Sequence, residues 1–206
     1  MSYTLVRVVE AGVVLREGHR ARFASESLDV LHSFDRFCLV AAPGIYALRA
    51  IDGAIATTPR ERSAVTEGMP IGFVPSPFFG VGDFAKPAPP GPYDEVRVDG
   101  ICTFLTDDEG REVIEACRGI ALAFRDGAFV RAASRFARVI SVVEEFLVRD
   151  GLRAATLEAQ VPECWGVANA VAGVVVVGPS GKLSASARHA ANVWNARILA
   201  SASRPQ

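Results

Sequence analysis

A lysine amine becomes a nucleophile only after it loses a proton, and arginine cannot stand in for it there because a guanidinium stays charged. The 206-residue chain carries 22 basic side chains, of which only Lys86 and Lys182 are lysines. Lys86 lies in "GVGDFAKPAPPGPYDEV", residues 80–96, between glycines and a run of prolines. It is the candidate for attack on a carbonyl. Downstream, Glu115 sits in "GREVIEACRGIALAFRDG", on a predicted strand after a tight turn. A carboxylate held on a strand suits a cationic partner such as a protonated ring nitrogen. Upstream, Arg22 lies on a predicted helix, "GHRARFASES", where its guanidinium fork suits a phosphate. Composition alone reads these three as a surface lysine, a strand-edge glutamate and a helix arginine.

Other motifs carry less. "GPSGKLS" has the look of a phosphate loop, but its first glycine is at the wrong spacing and Leu183 stands where a Ser or Thr must follow the lysine. It reads as a hairpin turn with an exposed Lys182. Cys117 falls in an apolar segment with no thiol-enzyme signature around it, and reads as core. Cys38, Cys102, Cys117 and Cys164 form no CxxC pair and read as reduced, apolar fillers. His19, His32 and His189 are too far apart for a zinc spacing, so no metal is expected.

The elements that must position these residues mix helices and hairpins. Half the chain is hydrophobic and the net charge is −1. The arginines are scattered among as many acids, so no nucleic-acid partner is expected. "MSYTLVRVVEAG" shows no secretory signal, and "VANAVAGVVVV", the longest apolar run, is short of a membrane span and reads as one buried strand. A cytoplasmic protein is expected.

"YTLVRVV" alternates as a strand, residues 18–31 read as one helix, and "FCLVAA" reads as a strand. "IYALRAIDGAIATT" reads as a hairpin turning at Asp52-Gly53. "MPIGFVPS" reads as a strand, and Pro75–Pro92 as a loop or linker. Residues 99–130 read as three strands with turns at 108–110 and 126–127. "RFARVISVVEEFLVRDG" reads as an amphipathic helix stopped at Gly151, "LRAATLE" as a short strand, and residues 186–202 as a last helix. The class is α+β in two subdomains, 1–80 and 81–206.

Three patches together resemble the class IV aminotransferases, the fold-type IV enzymes that use pyridoxal phosphate, and most closely the aminodeoxychorismate lyase-like branch. "LREGHRARFASES" is similar to the family's LxxHxxRLxxSA helix through His19, Arg22, Phe23 and Ser25. "FAKPAPPGPYDEV" is similar to HKTxxRxxYDxA through Lys86, Tyr93 and Asp94. "DDEGREVIEACRGIALAFRDG" is similar to NExGxVTExxxxNxxxxxDG through Gly110, Val113, Glu115 and Asp126-Gly127. The order and approximate spacing match, and the patches span most of the chain. "GIYALRAIDG" and "VANAVAGVVVV" resemble two further family segments more weakly.

The resemblance implies a role for each matching position. Lys86 would bond covalently to the cofactor aldehyde and shuttle the substrate proton. Glu115 would face the pyridine nitrogen, and Tyr93 the phenolic oxygen. Arg22 would bind the phosphate, with Ile140 and Ser141 at the phosphate cup and Asn169 and Ala170 at a second phosphate contact. The departures are specific: Ile120 replaces the family's asparagine, Arg138-Val139-Ile140-Ser141 replaces a glycine–apolar–Thr/Ser–Arg cup, and Ala85 and Pro87 flank the lysine. The function implied is transamination of an amino acid, or elimination of pyruvate from aminodeoxychorismate to leave 4-aminobenzoate, in a homodimer. The alternative is a non-catalytic relative that binds a small molecule or a protein partner without the cofactor.

Overall fold

The computed structural model describes residues 2–61, 65–77, 92–133, 141–160, 164–178, 184–203 and 205. Its contacts divide the chain into two compact units, Met1–Ser63 with Ala196–Gln206, and Ala64–Asn195.

The first unit begins with strand β1 (Tyr3–Val9), the short β2 (Gly12–Val13), helix α1 (Arg16–Ala21), helix α2 (Leu28–Val40) and the hairpin β3 (Gly44–Ile51) and β4 (Ala54–Arg60). The strands form one antiparallel sheet in the order β2-β1-β3-β4. Alternate residues of β1 and β3 (Val6, Val8, Leu48 and Ala50) turn inward against Val30, Phe34 and Cys38 of α2. Phe23 joins them, its ring centroid 5.6 Å from that of Phe34.

Two sequence readings are corrected here. The single helix expected over 18–31 is interrupted: Ser27 has an extended backbone and its hydroxyl accepts from Val30 N–H, so it ends one segment and N-caps α2. "FCLVAA" is not a strand. Its first residues complete α2, because Val30, Phe34 and Cys38 recur at four-residue steps and bury one helical face. That face outweighs the local strand preference of the apolar run.

The second unit contains β5 (Ile71–Pro75), the one-turn helix α3 (Pro92–Glu95), and β6 (Cys102–Thr106), β7 (Val113–Ala116), β8 (Ile120–Arg125) and β9 (Ala128–Ala132). Helix α4 (Val142–Arg149), β10 (Arg153–Ala155), β11 (Cys164–Asn169) and β12 (Gly173–Val177) follow, and helix α5 (Ala185–Ala200) runs past the division between the units. Two sheets result, in the orders β10-β9-β8-β11-β12 and β5-β6-β7. An aromatic trio from both sheets forms the centre of this core: Trp165 lies 4.9 Å from Phe104 and 5.5 Å from Phe73, ring centre to ring centre.

Residues 99–130 hold four strands, not three, because Gly119 allows a further turn between β7 and β8. A Cβ at Gly119 would lie 2.2 Å from the Ala168 carbonyl oxygen. "VANAVAGVVVV" is likewise a hairpin and not one strand. Asn169 Oδ1 accepts from Val171 N–H and Ala172 N–H, and Gly173 follows at φ +75°. Most of the proline-rich loop (78–91), the start of the amphipathic helix (134–140) and the "GPSGK" turn lie outside the described residues.

Candidate functional site

β6 and β7 form the platform for the most chemically committed carboxylate of the second unit. Their turn is tied by Asp107, whose Oδ1 accepts from Arg111 N–H at 2.7 Å and Glu112 N–H at 3.2 Å, while Gly110 supplies the positive φ. This fixes the register that sets Leu105 opposite Glu115. Every residue of β7 is buried, so Glu115 is carried into the interior with 6 % of its surface exposed. Such burial is costly for a carboxylate without donors. One donor is Tyr93 on α3, whose hydroxyl gives its hydrogen bond to Glu115 Oε1 at 2.8 Å. Next to Tyr93, Asp94 holds Arg97 Nη1 at 2.6 Å. Burial, together with the Glu115 charge, pushes the Cys117 thiol up to about 12, and the charges of Arg118 and Arg97 only partly oppose this.

The other candidate residues are dispersed. Arg22 belongs to the first unit, directly after α1. Ser141 occupies the N-cap of α4 without capping it through its hydroxyl, and in that first turn the buried Glu144 pairs with Arg131 at 3.2 Å. The Asn169 amide is engaged within the protein: Nδ2 donates to Arg118 O at 2.9 Å and Oδ1 holds its own turn. Ala170 lies in that turn. Ile120, at the asparagine position of the motif, is core. Lys86 and Ile140 lie outside the described residues. The structure thus joins Tyr93 to Glu115 and brings Asn169 against the turn three residues past Glu115. The Tyr93 hydroxyl, expected to face a phenolic oxygen, donates to Glu115.

No group of three or more His, Cys, Asp or Glu among the described residues is placed to hold a metal ion. No described helix is long and apolar enough to cross a membrane.

No protein-family profile matches the chain, and no curated protein sequence matches it. Solved structures do. The 4-amino-4-deoxychorismate lyase from Pseudomonas aeruginosa superposes with a TM-score of 0.60 at 15% identity, over 93% of this chain and 88% of the lyase. The branched-chain aminotransferase from Thermoproteus uzoniensis gives 0.65 at 12% identity, over 97% and 86%. The fold is that of the class IV aminotransferases. A hypothetical aminotransferase from Mycobacterium tuberculosis, solved with alpha-ketoglutarate and PMP bound, gives 0.63 at 12% identity over 97% and 89%.

Within this aminotransferase-like fold, two arginines that sequence reading passed over act on the Cys117 thiol, two residues past Glu115. Arg118 is on the β7–β8 turn and Arg97 follows α3. The signal available for Arg118 was an arginine three residues past the candidate carboxylate, inside an otherwise apolar stretch.

Proposed function

We infer that this chain is a pyridoxal-phosphate-dependent enzyme, a transaminase of amino acids or a lyase acting on an aminodeoxychorismate-like substrate. The observation that carries the reading is the buried Glu115 with its Tyr93 donor. A pyridinium N–H is a compact cation, and it pairs best with an anion already desolvated and held in one orientation. Glu115 is buried, sits on a strand and receives a 2.8 Å hydrogen bond, so it fits that need. Lys86, Arg22, Tyr93, Glu115, Ser141, Ile140, Asn169 and Ala170 are the residues that would hold the cofactor.

The cofactor, when bound, supplies an electron sink for the charge left on the substrate carbon. The chain supplies the rest. Glu115 keeps the ring nitrogen protonated. Tyr93 keeps the Glu115 carboxylate in one rotamer. Lys86 takes the proton from the substrate carbon and returns it, a task open to an amine and closed to a guanidinium.

The test is an absorbance spectrum of the purified protein with pyridoxal phosphate, before and after borohydride, with Lys86→Ala alongside. A visible band in the wild type that borohydride fixes as a covalent adduct, mapped by mass spectrometry to Lys86, is the expected result. No band at saturating cofactor would overturn the enzyme reading and leave a ligand- or partner-binding relative of the same fold.

A further inference from the structure

The turn after β7 carries a cation that no described residue pairs with. Cys117, Arg118 and Gly119 join β7 to β8, closed by Ala116 N–H to Gly119 O at 3.1 Å and Gly119 N–H to Ala116 O at 3.2 Å. Asn169 Nδ2 grips the Arg118 carbonyl at 2.9 Å, and Cys117 N–H donates to Thr103 O at 3.0 Å. The Arg118 backbone is therefore fixed on both sides. Its Nε is buried and has no hydrogen-bond partner, and its guanidinium makes no ion pair among the described residues. A buried guanidinium N–H without an acceptor is a desolvated donor that a bound anion would satisfy.

A second cation lies near. Val98 N–H donates to Thr103 Oγ1, which lays the 94–98 segment along the same part of β6, and Arg97 follows Asp94 there. Burial first, and then the Arg97 charge, hold the Arg118 guanidinium below its usual range, with Asp99 opposing them. The neighbouring thiols offer no counter-charge, since burial pushes both Cys102 and Cys117 up to about 12. Of the nearby acids, Asp94 holds Arg97, Glu115 receives Tyr93, and Asp99 is exposed to solvent.

We propose that Arg118, seconded by Arg97, binds a small oxyanion, a phosphate or carboxylate group, at the turn beside Glu115. Both groups present two oxygens to the guanidinium fork. The subsite goes beyond the cofactor reading and rests on it only for the ligand's origin, the phosphate of the cofactor or the carboxylate of the substrate.

The experiment uses the full chain without pyridoxal phosphate. It is titrated separately with inorganic phosphate and with glutarate, following the Arg118 Nε–Hε resonance by NMR and the binding heat by calorimetry. A saturable shift of that resonance is expected, with binding weakened at least about tenfold in Arg118→Gln, the loss of one charge-assisted hydrogen bond. Saturation by phosphate alone identifies a phosphate subsite, and saturation by glutarate alone a carboxylate subsite. No saturable shift with either anion, or binding undiminished in Arg118→Gln, overturns the proposal. The wild-type titration decides even where the variant fails to fold. Because no pyridoxal phosphate is present, failure here and failure of the Lys86 adduct are separate results.

Discussion

Glu115 and Tyr93 meet at 2.8 Å, and the value of that contact follows from where the carboxylate sits. A hydrogen bond to an exposed carboxylate competes with water, whereas one to a carboxylate with 6 % exposure replaces water that cannot return. Tyr93→Phe keeps the ring and removes only the donor. The variant is expected to lose about 1–3 kcal/mol of stability, read as a lower urea midpoint at unchanged slope. An unchanged midpoint would mean that the hydroxyl is matched by solvent and that Glu115 is not held by it. Tyr93 entered the sequence reading through the resemblance alone. Its partner was unreadable because the two stand 22 positions apart, one on a helical turn and one on a strand, and no periodicity connects them.

At the scale of elements, the turns around this site tolerate change unequally. Gly119 and Gly127 both stand in short β-connections, and a sequence treats them alike. A Cβ at Gly119 meets the Ala168 carbonyl oxygen at 2.2 Å, a backbone atom that β11 cannot move without losing its register with β8. A Cβ at Gly127 meets nothing within 4 Å, and the cost there is only that of φ +80°. Gly127→Ala is expected to cost about 1 kcal/mol, the usual penalty for a non-glycine residue in the left-handed region. Gly119→Ala is expected to cost about 3 kcal/mol or more, in the range of overpacked cores. Thermal unfolding of the pair checks this, and equal losses would contradict the close approach of β11.

The same comparison marks what the sequence could disclose. Alternation disclosed β1, and the Asp52-Gly53 and Asp126-Gly127 turns disclosed their hairpins, since each signal is local. Phe37 to Val40 were misread because strand-like composition is also local, while the four-residue step that buries Val30, Phe34 and Cys38 spans about two helical turns. The Asn169 turn hid inside an apolar run because its ties are one side chain to two backbone N–H groups. In the candidate site, the motif pointed to Glu115, but Arg118 matched no family position. Its Nε is buried by tertiary packing that no local pattern signals.

For the molecule as a whole, the cysteines set an alkaline limit that reaches both units. Burial pushes Cys38 up to about 11 and Cys102 and Cys117 up to about 12, all from an ordinary value of 9.0. Cys38 lies on the buried face of α2 in the first unit, and in the second Cys102 opens β6 and Cys117 follows β7. An unfolded thiol ionises near pH 9, while the native chain still holds its protons. Stability from these groups is therefore complete below about pH 9 and is lost as pH rises toward their folded values. Urea midpoints are expected to hold level up to about pH 8 and to fall steeply by about pH 10.5. The folded thiols are also expected to resist alkylation at about pH 8 and to react fully once unfolded. Cys38→Ala removes the share belonging to the first unit only. Hydrogen exchange at alkaline pH should then show slower opening of α2 relative to the wild-type loss, with β6 and β7 opening as before. An alkaline loss unaffected anywhere by Cys38→Ala would mean that the buried Cys38 thiol does not set the first unit's alkaline limit.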